Sequence, residues 1–308
     1  MSFNFGEVLS RALQITWKHK ILWLGGIVYA LFAFIMGFLP NYLFNPFFTG
    51  NMEAMTNMEQ EPWYFFLFFG SAFLLMLISI PVGVVVLTLP VVGTLQSEKE
   101  DVPLKLGDLF RESLRYFWRI LGIFGLVGIG VLVVMIIFFG CIALASVATM
   151  GIGIVLVLPL YCVLLILMII VYAYAVLSQV SVVADNSSVF VAMQRGWEVV
   201  KDNFWVIVLL CLIIYFGFWL LSVLISIPFM IPMYMNMFKM MESMDNLGAF
   251  QTDLMKTMSF WMLIYAPIYA VFQGVALTFM QSAWSLTYLR LTRKSELSEA
   301  PVFAEPNA

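Results

Sequence analysis

The stretch ILGIFGLVGIGVLVVMIIFFGCIALASVATMGIGIVLVLPLYCVLLILMIIVYAYAVLSQVSVVA, residues 120–184, decides the fold: sixty-five residues pass without one Asp, Glu, Lys or Arg. As a single α-helix it would extend roughly 100 Å at ~1.5 Å per residue, about three times the ~30 Å hydrocarbon core of a bilayer. It must fold back. Thr149-Met150-Gly151-Ile152-Gly153 is the natural turn, because its two glycines accept the backbone angles of a tight reversal. Membrane-spanning β-strands would alternate apolar and polar residues over segments of about ten. This run is apolar all round, so helices are expected.

Outward from it lie four more charge-free runs, Ile21–Met52, Pro62–Ser97, Asn203–Phe238 and Thr257–Leu289. Each is long enough for one crossing at about 20 residues per span. The prediction is an all-α, polytopic integral membrane bundle with six transmembrane helices near 21–39, 63–95, 120–148, 152–180, 204–234 and 259–289. A single transmembrane domain is expected over 1–294. A short acidic tail with two prolines, 295–308, is expected to be disordered. Composition agrees. The chain is 63% hydrophobic and 11% charged with a mean hydropathy of +1.00, whereas a soluble domain carries roughly a quarter charged residues. Cys141, Cys162 and Cys211 all fall inside crossings with no metal-ligand spacing, and read as small apolar residues.

Lys and Arg gather on the cytoplasmic side of short membrane loops. Thirteen of the fifteen occupy alternate segments, from Arg11, Lys18 and Lys20 through Lys99–Arg119 and Arg195–Lys201 to Arg290–Lys294; only Lys239 and Lys256 fall on the others. An even number of crossings with both termini cytoplasmic is expected, and the plasma membrane is the expected location.

Each odd-numbered crossing follows an amphipathic stretch with apolar residues three and four apart. In the first, Phe5, Val8, Leu9, Ala12, Leu13 and Trp17 oppose Glu7, Arg11, Gln14 and Lys18. In the second, Leu106, Leu109, Phe110, Leu114, Phe117 and Trp118 oppose Asp108, Arg111, Glu112, Arg115 and Arg119. In the third, Val189, Met193, Gly196, Trp197, Val200 and Phe204 oppose Gln194, Arg195, Glu198 and Lys201. Asn4 followed by Glu7 reads as a capping-box start, and Ser187 or Ser188 as a cap for the third. Such helices are expected to lie in the cytoplasmic interface, apolar face down, before the chain turns into the membrane. The chain then reads as three hairpins, each preceded by an interfacial helix. The returning crossing of each carries proline: Pro81 and Pro90, Pro159, and Pro267.

Val182-Val183-Ala184-Asp185-Asn186, Ala192-Met193-Gln194-Arg195-Gly196-Trp197 and Lys201-Asp202-Asn203-Phe204-Trp205, with Phe5-Gly6-Glu7 through Trp17-Lys18-His19-Lys20, carry a resemblance. The chain resembles a set of uncharacterised prokaryotic six-helix membrane proteins similar to the membrane domain of some glycerophosphodiester phosphodiesterases. The resemblance implies a fold and not a chemistry, since in those enzymes the catalytic domain is separate and soluble.

All the charged residues can be placed outside the crossings, which argues against an ion-coupled pump. No acid, base and nucleophile cluster is evident. His19 is the one histidine, the glycines 122, 125, 128 and 130 follow no strand and precede no Lys, and no cofactor is expected. Those glycines, with Gly26 and Ala30, read as close helix packing. Trp17, Trp23, Trp63, Trp118, Trp205, Trp261 and Trp284 read as an aromatic belt. Gln273, Thr278, Gln281 and Ser282 read as interhelix hydrogen-bonding groups. Methionines around 52–58 and 230–262 suit pliable apolar loops better than a copper site.

The expected function is that of a non-enzymatic membrane scaffold or accessory protein. Its partners would be the lipid bilayer, with anionic headgroups contacted by Arg11, Arg111, Arg115, Arg195 and Lys201, or an unspecified protein, but no nucleic acid. The alternative is a facilitator or transporter of a small apolar or lipid-like solute. A cavity reaching from midplane to one face and lined by Gln273 or Gln281 would favour that alternative. A solid bundle would favour the scaffold.

Overall fold

A computed structural model describes residues 3–43, 63–99, 104–149, 153–242 and 247–299. Its elements are α1 (Phe5–Lys18), a 3-10 turn (Lys20–Leu22), α2 (Trp23–Leu43), α3 (Trp63–Lys99), α4 (Leu106–Ala148), α5 (Gly153–Asp185), α6 (Val189–Asp202), α7 (Phe204–Glu242) and α8 (Leu247–Glu299). Among the described residues there is no strand. Five helices are long and apolar enough to cross a membrane; α1 with α2 makes a sixth candidate, bent by 85°. One long helix ends at Ala148 and the next begins at Gly153, and residues 150–152 of the expected turn lie outside the described residues. The chain is a multi-pass helical membrane protein.

α1 starts as the sequence indicates. The Asn4 side chain accepts a hydrogen bond from the Glu7 backbone N–H at 3.2 Å, satisfying one free donor of the first turn. Its Val8, Ala12 and Ile15 are buried against the bundle. His19 ends the helix, and the chain swings into α2 through the 3-10 turn, pinned by Trp23 Nε1 donating to the Thr16 carbonyl at 2.9 Å. Ser188 caps α6 by backbone conformation alone, with no side-chain bond.

One expectation fails on helix continuity. Residues 106–119 do not form a separate interfacial helix: α4 runs unbroken for 43 residues, about 65 Å at ~1.5 Å per residue. No proline interrupts 106–148, so nothing removes a backbone bond there. At the other end α8 runs to Glu299, and residues 300–308 of the expected tail lie outside the described residues.

Burial is uneven along every long helix. On α3, Val84–Leu95 is largely buried while Phe73, Leu74, Met76 and Leu77 are exposed. On α5 the buried stretch is Ala173–Val183; on α8 it is Ala276–Leu286. On α4 the buried residues stop at Ile123, and Leu126 to Val147 are mostly exposed. The bundle is therefore packed solid at the end bearing α1 and α6 and splayed at the other. α8 is its axis, touching α1, α2, α3, α5 and α7.

Ten Ser and Thr side chains are buried among the described residues. Most satisfy themselves by donating to the carbonyl four residues back, as Thr88 to Val84, Thr278 to Gly274 and Thr287 to Ala283 do. Thr94 and Ser282 bond across α3 and α8 at 2.8 Å. Of the neutral polar groups singled out on α8, Ser282 is thus an interhelix group and Thr278 is not.

Gly26 and Ala30 are buried at the α2–α8 crossing, as expected. A Cβ on Gly26 would meet Gly274 Cα at 2.7 Å, and one on Gly274 would meet the Trp23 carbonyl oxygen at 2.7 Å. The second glycine set behaves differently. Gly122 approaches Val189, but Gly125, Gly128 and Gly130 face open space. Their helix turns that face outward, so they pack against no helix here. Two further readings are corrected by burial. Trp284 is fully buried and belongs to the core, whereas Trp17, Trp63, Trp118 and Trp205 are exposed. Cys141 is exposed on α4 while Cys211 is buried. The side chains of Cys162 and Trp261, and most of the methionine-rich stretches, lie outside the described residues.

Candidate functional site

Among the described residues three ion pairs tie the packed end, two of them between segments far apart in sequence. Arg11 Nε meets Glu98 at 2.8 Å, joining α1 to α3. Arg290 meets Glu7 at 2.8 Å, joining α8 to α1. Arg195 meets Asp185 Oδ2 at 2.8 Å, closing the α5–α6 corner. The same carboxylate oxygen accepts from the Tyr288 hydroxyl of α8 at 2.5 Å and from Ser181 Oγ at 3.2 Å. One oxygen thus gathers donors from three helices.

The corner itself is built by Asn186. Its φ of 51° is left-handed, a conformation Asn tolerates better than most residues, and it stops α5 directly after Asp185. Arg119 of α4 donates to the Asn186 carbonyl at 3.1 Å and to its side-chain oxygen at 2.8 Å, so α4 braces the turn. Gly196 lets α6 lie against α5: a Cβ there would meet the Ser178 backbone N at 3.0 Å and Cα at 3.1 Å. The patches Asp185-Asn186 and Arg195-Gly196 therefore fold into one device.

The five basic residues singled out from sequence divide. Arg11 and Arg195 are each committed to an internal carboxylate. Arg111, Arg115 and Lys201 are exposed, with Arg115 over the Tyr116 ring at 6.0 Å. The ion pairs between sequence-distant segments were not legible, because each joins helices whose proximity only the bundle creates. His19 Nε2 lies 3.4 Å from Ser97 Oγ, at the same end.

Charge shifts follow the pairs. The Asp185 carboxylate, bonded to and facing the guanidinium, raises Arg195 above its ordinary value. Arg290 lowers Glu7 by hydrogen bonding and charge. A carboxylate with a lowered folded pKa stabilises the docked state above its ordinary range, and that contribution is lost as pH falls through the lowered value. Acidification through that range should speed hydrogen exchange of the α1 amides, after correction for intrinsic rates. The Glu7→Gln variant should show fast exchange at neutral pH and no such step; an identical step in the variant would refute the coupling.

Three clefts adjoin this frame. At the charged end a cleft of about 600 Å³ is lined by Glu7, Glu98, Lys99, Asp185 and Arg290. On the flank a groove of about 810 Å³ runs between α4, α5 and α6, lined by apolar side chains such as Leu126, Val131, Ile170 and Trp197, with exposed Lys201 at its rim. Toward the splayed end a cleft of about 400 Å³ opens between α5, α7 and α8, and Gln273 and Gln281 line it. Among the described residues no three His, Cys, Asp or Glu side chains converge as metal ligands do.

Fold and site together define a multi-pass helical membrane protein with a charge-clamped end and clefts open to its flanks. No family model, curated protein or solved structure matches the chain.

Proposed function

We propose that this chain is a non-enzymatic membrane scaffold or accessory protein of the plasma membrane that binds anionic phospholipid at its cytoplasmic end. The observation that carries the reading is the flank groove. Its walls are apolar and suit an acyl chain, and Lys201 stands at its rim where a phosphate would sit. Around it, Phe190, Trp197 and Trp205 on one side and Phe110, Leu114 and Trp118 on the other are exposed large side chains. They belong at the membrane interface. Arg111 and Arg115 add exposed positive charge, and a basic side chain near an anionic surface contributes about 1 kcal/mol. The charged end is taken as cytoplasmic by the distribution of Lys and Arg, with both termini on that side and the chain organised as three helical hairpins. The resemblance to six-helix prokaryotic membrane domains fits this reading and adds no chemistry to it.

The test uses the full chain in nanodiscs of mixed phosphatidylglycerol and phosphatidylcholine. Tryptophan quenching by brominated phosphatidylglycerol should exceed that by brominated phosphatidylcholine. The triple variant Arg111→Gln, Arg115→Gln, Lys201→Gln should bring the two to parity. Equal quenching in the unmodified protein would end the proposal. An impermeant maleimide should reach a Lys201→Cys variant from the cytoplasmic side alone.

A second reading, a facilitator of lipid-like solutes, has one observation in its favour: the cleft lined by Gln273 and Gln281. Against passage through the bundle stands the packed layer beyond it, where Val91, Val92, Val180, Ala283 and Trp284 are buried.

A further inference from the structure

The cleft between α5, α7 and α8 contains polar atoms that make no close hydrogen bond. Gln281 is 2% exposed, and its Oε1 accepts no hydrogen bond. The Tyr215 hydroxyl, also buried, makes no close hydrogen bond, though the Tyr172 hydroxyl and the Trp284 indole N–H face it. Both side chains line the cleft. Three residues on from Gln281, on the same face of α8, Trp284 is fully buried and its Nε1 has only the Tyr215 hydroxyl facing it, without a close hydrogen bond. Seven residues on from the lining Tyr172, on the same face of α5, Gln179 is fully buried with neither amide atom bonded. A buried polar atom left dry destabilises the fold. Elsewhere in the packed end most buried Ser and Thr bond on their own helices, with Ser113 Oγ a further unpartnered atom away from this cleft.

We infer that the cleft binds a neutral, hydroxyl-bearing lipid of the diacylglycerol or long-chain alcohol type. The chemistry selects this class. Gln281 Oε1 needs a donor, which a quinone or ester carbonyl lacks. Tyr215 can donate or accept. A hydroxyl gives its proton to Gln281 and takes one from Tyr215. Among the described residues no Lys, Arg or His lines the cleft, so a phosphate would arrive without a counter-charge. Phe218, Trp219 and Phe272 form the apolar part of the wall and suit a hydrocarbon chain. At ~30 Å³ per molecule, about 400 Å³ would hold roughly a dozen waters, each needing two to four polar partners, more than these walls supply. The size lies within the ~300–1,000 Å³ typical of ligand pockets with a few convergent polar groups. The site is independent of the basic groove on the other flank.

The experiment is photolabelling of the full chain in nanodiscs with three diazirine probes: a diacylglycerol, a hexadecanol and a phosphatidylcholine. Diacylglycerol or hexadecanol should label peptides containing Tyr215–Ser222 or Tyr269–Gln281, with competition by the unlabelled lipid. The probe that labels identifies the source of the hydroxyl. Gln281→Leu and Tyr215→Phe should each weaken competition at least fivefold. Tyr215→Phe keeps the ring and removes only the hydroxyl, so folding failure cannot mimic the result. Equal labelling by phosphatidylcholine, labelling dispersed over the lipid-exposed helices, or unchanged competition in Tyr215→Phe would each overturn the inference. The quenching preference for phosphatidylglycerol should persist in both variants, which separates this site from the anionic-lipid reading.

Discussion

Gly26→Ala and Gly274→Ala should each destabilise the protein by about 1–3 kcal/mol, the usual cost of forcing extra atoms into a close-packed contact. The direction is opposite to helix propensity, which favours Ala over Gly by about 1 kcal/mol in a helix interior. At Gly26 the added carbon would stand 2.7 Å from Gly274 Cα; at Gly274 it would stand 2.7 Å from the Trp23 carbonyl oxygen. Both obstacles are backbone, so no rotamer change relieves them and α2 must move away from α8. That contact matters because α2 has little else: it packs on α3 and α8, while Leu24, Val28, Leu31 and Ile35 face outward. Gly128→Ala supplies the control. Nothing lies within 4 Å of its added carbon, so propensity alone acts and stability should rise by about 0.5–1 kcal/mol. Thermal unfolding in detergent of all three variants reads the result. Equal shifts in the same direction would show that the helix crossing does not depend on these glycines.

The contrast between these glycines shows what the sequence could and could not reveal. Gly26 and Ala30 share a helix face, and so do Gly122, Gly125 and Gly130 nearly so; spacing marks a smooth face but not whether another helix lies on it. The gross fold was legible because absence of charge over tens of residues has one physical explanation. That the long run must break in two was legible because a single helix of that length would outrun the bilayer, and one helix ends at Ala148 and the next begins at Gly153. Helix boundaries at the charged end were not. Amphipathic periodicity looks the same whether a helix bends at its end, as at His19, or continues, as α4 does past Ile120. Of the candidate site residues, exposure of Arg111, Arg115 and Lys201 followed from their polar faces. The pairing of Arg11 and Arg195 did not, since Glu98 is 87 residues from Arg11 and no local pattern links them. Gln281 was marked as polar in an apolar span, but a bonded and an unbonded glutamine read alike in sequence.

Asp185→Ala should be the most damaging single change at the charged end. The carboxylate is only part-buried and its partner Arg195 is half-exposed, so the ion pair alone contributes no more than about 1 kcal/mol. Tyr288 changes that balance. It is 1% exposed and its hydroxyl donates to the same oxygen, so truncating Asp185 strands a buried donor at about 1–3 kcal/mol. The loss should therefore total about 2 kcal/mol and exceed that of Arg195→Gln, which removes the exposed partner and leaves Tyr288 bonded. Tyr288→Phe, removing the stranded group itself, should nearly abolish the difference when combined with Asp185→Ala. Thermal unfolding of the single and double variants gives the coupling, and contacts through one shared oxygen should be non-additive by at least about 0.5 kcal/mol. Hydrogen exchange locates it: in Asp185→Ala the amides of α6 should open while those of α2 stay protected. An additive pair with α6 still protected would mean that Gly196 packing against Ser178, and not the carboxylate, holds the corner closed.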